Sequence, residues 1–130
     1  MVKKILFADD DEDIRFVTEI MLKVDGYDVI LEADTHFADN PDPYNLPDVY
    51  LLDRHMHGSD LLHTCRLLKS NAVTSHIPVI MVSADVHIQK LFEEAGADEF
   101  IHKPFERYQL LDAIARVLRK SEREKNDADL

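Results

Sequence analysis

Ile5-Leu6-Phe7-Ala8-Asp9-Asp10-Asp11 sets four apolar residues directly before three carboxylates. The apolar run has the length and character of a strand, and the acids stand where that strand stops. The same arrangement recurs down the chain. Asp53 follows Val49-Tyr50-Leu51-Leu52, Ser83 follows Val79-Ile80-Met81-Val82, and Lys103-Pro104 follows Glu99-Phe100-Ile101-His102. In an open parallel α/β sheet the carboxyl ends of the strands line one edge, and ligands bind there. Residues spread over most of the chain are therefore expected to meet in one pocket holding carboxylates, a hydroxyl and an ammonium. That donor set suits a divalent cation and a phosphoryl group.

Between these strands the pattern turns helical, which predicts βα units and a parallel sheet. Ile14, Val17, Met21 and Val24 fall at helical spacing, and Gly26 stands where a C′ glycine ends a helix. Tyr27 to Leu31 reads as a strand. Ser59 or Asp60 can cap a helix carrying Leu61, Cys65 and Leu68 on one face. Pro78 opens the fourth strand, a position that tolerates proline. Ile88, Leu91, Phe92 and Ala95 give a short amphipathic helix closed by Gly96. The last helix is expected to turn Leu110, Leu111, Ile114 and Leu118 inward and to fray into the charged segment Glu122 to Asp129. This divides the chain into a domain over residues 1–121 and a charged tail over 122–130. The second crossover, Thr35 to Pro47, contains Pro41, Pro43 and Pro47. A proline inside a helix costs roughly 3 kcal/mol or more, so at most a turn or two of helix is expected around Phe37.

A chain of 130 residues suits one domain with a single proper core. The net charge of −11 argues against binding nucleic acid or an anionic membrane surface. Any phosphate chemistry must then rest on a local cation. Cys65 is the only cysteine, so no internal disulfide can form and a reducing cytoplasm fits. The apolar runs are too short to span a bilayer, and the start of the chain enters a strand without a signal-peptide core. A cytoplasmic location is expected.

Asp53, alone after a β-prone run, is placed as a nucleophile of the kind that forms aspartyl-phosphates. Carboxylates crowded around it would raise one another's pKa and repel an incoming phosphoryl group unless a cation intervenes. Mg2+ takes one or two carboxylates together with waters and phosphate oxygens, while Lys103 and Ser83 can hold the remaining phosphoryl oxygens. Each signal also has a plainer use. Acids are common at helix N-termini, and an aspartate ending a strand is ordinary. His55, His57 and His63 lie close in sequence, but their spacing is not that of a metal-binding helix motif. Cys65 reads as a small core hydrophobe, and Phe100 on its own as a core aromatic.

The chain resembles the response-regulator receiver domain of two-component signalling, as in chemotaxis receivers, from about Lys3 to Lys120. The stretches that carry the resemblance are residues 5–15, 47–53, 77–84 and 95–105, which contain the acidic run, Asp53, Ser83-Ala84 and Lys103-Pro104-Phe105. It implies a doubly wound, flavodoxin-like five-stranded parallel sheet in the order 2-1-3-4-5, here with a short or irregular second helix. It makes Asp53 the phospho-acceptor, Asp10 a direct Mg2+ ligand, Asp9 a ligand through water and the His55 carbonyl a backbone ligand. Ser83 matches the switch hydroxyl, Phe100 the switch aromatic and Lys103 the phosphate-binding lysine. The implied partner is a histidine kinase or a histidine phosphotransfer protein within a phosphorelay. The implied output is a surface on the fourth helix, fifth strand and last helix, roughly Val86 to Arg119. The mixed charges there, including Lys90, Glu93, Asp98, Glu99, Arg116 and Arg119, suit a weak homodimer or a docking partner. On this reading the chain is a signalling switch, not an enzyme beyond its own phosphotransfer and dephosphorylation. Three departures stand out: His57 replaces the usual proline, Leu61 the usual glycine, and the second crossover is rich in proline. His55 and Asp85 flank the route of attacking water in receivers.

The competing enzyme reading is a small phosphohydrolase like the haloacid-dehalogenase phosphatases, using Asp9 and Asp11 as an Asp-x-Asp pair. The chain has no room for a cap domain, and Asp13 stands where that motif usually has Thr or Val. A degenerate receiver acting without phosphorylation is disfavoured because every required group is present. A Rossmann or P-loop nucleotide binder lacks its glycine signature in a chain with three glycines.

Overall fold

The computed structural model describes residues 2–56, 58–85 and 87–128. His57 and Val86 lie outside them, and with them the loop position expected to carry proline and the expected first residue of the moving output segment. The elements run β1 (Lys4–Ala8), α1 (Glu12–Val24), β2 (Asp28–Glu32), α2 (His36–Asp39), β3 (Val49–Asp53), β4 (His55–Met56), β5 (Ser59–Asp60), α3 (Leu62–Ser70), β6 (Val79–Ser83), α4 (Gln89–Glu94), β7 (Glu99–His102) and α5 (Arg107–Ala128). The main sheet has the order β2-β1-β3-β6-β7, with every pair parallel. Setting aside the two-residue hairpin β4–β5, this is the expected flavodoxin-like order.

The inner strands β1, β3 and β6 are buried on both faces, as a sheet covered by helices on each side requires, while the edge strands β2 and β7 are mostly half-buried. Successive side chains alternate between two cores. Leu6, Tyr50, Leu52, Val79 and Met81 pack with Leu61, Cys65, Leu68, Ile88 and Phe92 from the α3–α4 side. Ile5, Phe7, Val49, Leu51, Ile80 and Val82 pack with Leu22, Leu110, Ala113, Ile114 and Val117 from the α1–α5 side. Registers Ala8↔Leu52, Asp53↔Val82 and Ser83↔His102 align the strand ends, so the polar residues that follow share one edge.

The second crossover is one turn of helix followed by irregular chain, as the prolines require. Phe37 stacks on Tyr50 with ring centroids 5.9 Å apart. Asp48 fastens the loop to β1: the Lys4 amide donates to Asp48 Oδ2 at 2.8 Å, and the Asp48 amide donates to Lys4 O at 2.7 Å. The N-cap of α3 is Leu61, without a side-chain cap, and the expected capping residue Asp60 stands one position earlier, where its Oδ1 accepts from the Leu62 amide at 3.0 Å. Gly26, at φ +95°, closes α1.

Two expectations are corrected. The apolar spacing in α1 does not mark its buried face, because Val17 is 64 % exposed and Val24 72 %. Leu22 is buried and Met21 half-buried, while the Arg15 side chain lies inward, donating to Asp9 O at 2.7 Å. The last helix does not fray after Lys120 but continues through Ala128. No glycine or proline interrupts the segment, its residues are mostly good helix formers, and Lys3 pairs with Glu122 at 3.4 Å. Ala113 and Val117 join Leu110 and Ile114 on the buried stripe of α5, with Leu111 and Leu118 half-buried beside it. Among the described residues no helix is long and apolar enough to cross a membrane.

Candidate functional site

The acidic run leaves β1 at the sheet's carboxyl edge. Asp9 is 2 % exposed; its Oδ1 accepts from the Asp11 amide at 2.9 Å, and its own amide donates to Glu32 O at 3.1 Å. The carboxylate is thus fixed by the turn that starts α1, where the Asp11 side chain caps by accepting from the Ile14 amide. Asp10 is exposed on the same turn.

Asp53 ends β3 beside this turn, its side chain 16 % exposed, and Lys103 reaches it from the end of β7 with Nζ 3.0 Å from Oδ1. The Lys103 amide donates to Ser83 O at 2.8 Å, so the β7 end is anchored to the β6 end. Ser83 is buried, and its Oγ accepts from the Asp85 amide at 3.0 Å. Phe100 is half-buried; its ring lies 4.8 Å from Phe92 and 6.0 Å from His102. His55 is exposed on the hairpin, where its backbone pairs with Asp60.

Asp9 lies above the ordinary carboxylate value of 3.8, chiefly because burial disfavours its charge. The charges of Asp53 and Asp10 push it up further, while the Asp11 amide and Lys103 draw it down. Asp9, Asp10, Asp53 and Lys103 therefore share one electrostatic neighbourhood, with one ammonium set against three carboxylates. No three His, Cys, Asp or Glu side chains among the described residues form a complete metal cage. Mg2+ does not require one, since it keeps several waters and binds through one or two carboxylates. The excess of carboxylates over ammonium at this edge fits such an ion.

Sequence reasoning placed Asp9, Asp10, Asp53, Ser83 and Lys103 at one edge, and the structure brings them together there. It missed Arg54. This side chain is 13 % exposed and bridges two acids: Nη1 lies 3.1 Å from Asp85 Oδ2, and Nη2 lies 3.3 Å from Asp60 Oδ2. Its Nε is buried with no hydrogen-bond acceptor among the described residues. The His87 amide first, and then Arg54, hold Asp85 below its ordinary value. Burial alone would raise Asp60, but the Leu62 amide and Arg54 outweigh it and leave that pKa lowered. An arginine directly after the strand-end aspartate was the only available signal. His55 and His63 are both exposed, and His57, the third of the histidines close in sequence, lies outside the described residues.

A parallel five-stranded sheet in this order, with acids, a hydroxyl and a lysine gathered at its carboxyl edge, defines a receiver architecture. The chain belongs to the response regulator receiver domain family, whose model matches residues 5–115. It is 35 % identical over 123 residues to the phosphate regulon transcriptional regulatory protein PhoB of Pseudomonas aeruginosa, a match covering 92 % of this chain and 53 % of that protein. The chain thus spans about half the length of this curated relative. Among solved structures it is similar to NtrX from Brucella abortus, with TM-score 0.85 and 28 % identity over 99 % of this chain and 30 % of that one. It is also similar to the receiver domain of the sensor histidine kinase PA1611 from Pseudomonas aeruginosa PAO1, with TM-score 0.79 and 25 % identity over 91 % and 98 % of the two chains. That receiver was solved with a magnesium ion coordinated in its active-site cleft.

Proposed function

We propose that this receiver is a Mg2+-dependent phospho-acceptor switch in which Asp53 carries the phosphoryl group. The observation that carries the reading is the 3.0 Å contact of Lys103 Nζ with Asp53 Oδ1, set beside Asp9 and Asp10 at the same strand edge. Asp10, Asp53 and the His55 carbonyl would hold the metal directly, and Asp9 would hold it through water. The ion would offset the carboxylate charge and draw phosphoryl oxygens toward Asp53.

A carboxylate oxygen of Asp53 attacks phosphorus of a phosphohistidine on a histidine kinase or histidine phosphotransfer protein. The P–N bond breaks, and the leaving imidazole takes up a proton. Lys103 holds a phosphoryl oxygen through the transfer. Hydrolysis later returns the Asp53 carboxylate and inorganic phosphate, so the protein acts as a timed switch rather than as an enzyme on other substrates. Once phosphorylated, Asp53 draws the Ser83 hydroxyl toward it, and Phe100 turns inward. The output surface is then α4, β7 and α5, where a cleft of about 300 Å³ is lined by Gln89, Phe92, Glu93 and Phe100 among others. A weak homodimer forms through this surface, and the protein works in the cytoplasm.

Acetyl phosphate with Mg2+ tests the reading. One acid-stable, base-labile phosphoryl group should appear in the wild type and in Asp9→Asn at reduced rate, and be absent in Asp53→Asn or when Mg2+ is chelated. Uptake abolished in Asp9→Asn yet intact in Asp53→Asn would favour the haloacid-dehalogenase-like phosphohydrolase instead.

A further inference from the structure

Arg54 joins two segments that flank Asp53. Its own backbone is tied to the sheet: its amide donates to Val82 O at 2.9 Å, and its carbonyl accepts from the Leu61 amide at 2.7 Å. The side chain starts from this fixed base, reaches Asp60 on the hairpin and reaches Asp85 on the loop after β6. Asp85 is itself the organiser of that loop. Its Oδ1 accepts from the His87 amide at 2.9 Å, and its amide donates to Ser83 Oγ at 3.0 Å. The guanidinium is therefore coupled to the Ser83 hydroxyl through a single residue, Asp85.

A mere surface ion pair would leave the arginine in water, where such pairs contribute little. Here the side chain is 13 % exposed while its two acids stay about half exposed, at 42 % and 47 %. The arginine is withdrawn from solvent to meet them, and one of its N–H groups has no acceptor among the described residues. An unsatisfied buried donor in a native structure calls for a reason, and a joint between the hairpin and the Ser83–Asp85 loop supplies one.

We propose that Arg54 is a positioning residue that restrains the Ser83–Asp85 loop in the unphosphorylated arrangement and so sets the threshold for switching. The inference rests on the phospho-acceptor reading of Asp53. For the Ser83 hydroxyl to donate to a phosphoryl oxygen on Asp53, residues 83–85 must shift toward β3. The Arg54 backbone cannot follow, because Val82 O and the Leu61 amide hold it. The shift therefore gives up the Arg54–Asp85 contact and the Asp85 amide bond to Ser83 Oγ. A ligand that favours the shifted loop must supply that difference, and weakening the bridge reduces what must be supplied.

The test titrates beryllofluoride, with Mg2+ present, into wild type, Arg54→Met, Arg54→Lys, Asp85→Asn and the double variant Arg54→Met/Asp85→Asn. The readout is the NMR shift of the Ser83 amide, which is present in every variant, and thermal melting checks that each variant is folded. Arg54→Met and Asp85→Asn should each lower the half-saturating concentration by about threefold. The double variant should go no further than either single one, and Arg54→Lys should fall between wild type and Arg54→Met. An unchanged or raised half-saturation in both single variants overturns the restraint, provided that the wild type responds and Asp53→Asn does not. Additive shifts in the double variant also overturn it, because the two residues would then act separately. A wild type that gives no response, matching Asp53→Asn, removes the phospho-acceptor reading and this inference with it.

Discussion

Lys103 and Asp53 form a contact whose strength depends on what surrounds it. Asp53 is 16 % exposed and Lys103 34 %, and two further carboxylates share the neighbourhood. The ammonium competes with any divalent cation for the same negative charge, yet it is also the natural partner of a phosphoryl oxygen. Lys103→Ala should therefore bind Mg2+ at least as tightly as wild type while losing most of its response to beryllofluoride. Isothermal titration of Mg2+ and the Asp85 amide shift measure the two effects separately. A full response to the mimic would remove Lys103 from this role. Asp60 gives a prediction of a different kind. Its pKa is lowered in the folded protein, so it contributes stability above its unfolded value of about 3.8. That contribution is lost as pH falls through the lower folded value. Asp60→Asn should keep the hydrogen bond from the Leu62 amide but lose the charge on Arg54. Its stability deficit against wild type should be present at pH 6 and shrink below pH 4, as read from denaturant midpoints. A deficit that does not change with pH would show that charge is not its source. At this scale the sequence displayed every acid, but not the bridge at Arg54. Residue 85 meets residues 54 and 60 only after the crossover through α3, and no spacing rule connects them.

The elements of the sheet were legible because strands buried on both faces leave unbroken apolar runs with clear ends. The polar residues after those ends gave the candidate site directly. Helix faces were harder to read. The apolar residues of α1 follow helical spacing, yet Ile14, Val17 and Val24 are exposed, because Arg15 and Leu22 occupy the side turned to the sheet. The end of α5 was misplaced for the opposite reason: a charged, uncapped segment looks like a frayed tail, although most of its residues favour helix. The close of α4 was read correctly from Gly96, which has φ +90°. A Cβ there would lie 3.1 Å from Lys69 Cγ, and Lys69 Nζ holds Ile77 O and Asp98 at 3.1 Å each. Gly96→Ala combines left-handed backbone strain with pressure on this lysine, so it should destabilise by about 1–2 kcal/mol. Urea denaturation checks this, and a neutral result would mean that the turn relaxes without disturbing Lys69.

Across the whole molecule, strand register converts positions far apart in sequence into one chemical edge. Ala8 is level with Leu52, and Asp53 with Val82, so Asp9, Asp53 and Ser83 need no loop of their own to find the site. Lys103 is set beside this edge by the hydrogen bond from its amide to Ser83 O, which links the ammonium proposed to hold phosphate to the hydroxyl proposed to move. The chain's net charge of −11 makes this edge hostile to anions. On the proposed function, phosphoryl transfer there would depend on local cations, the ammonium of Lys103 and a metal held by the acids. The central claim is that Asp53 alone takes the phosphoryl group, and it can be read at single-residue resolution. The protein is treated with acetyl phosphate and Mg2+, reduced with borohydride, which converts an aspartyl-phosphate to homoserine, then digested and sequenced by tandem mass spectrometry. Homoserine should be found at position 53 and at no other aspartate. Homoserine at position 9, 10 or 11 with Asp53 unchanged would contradict the account.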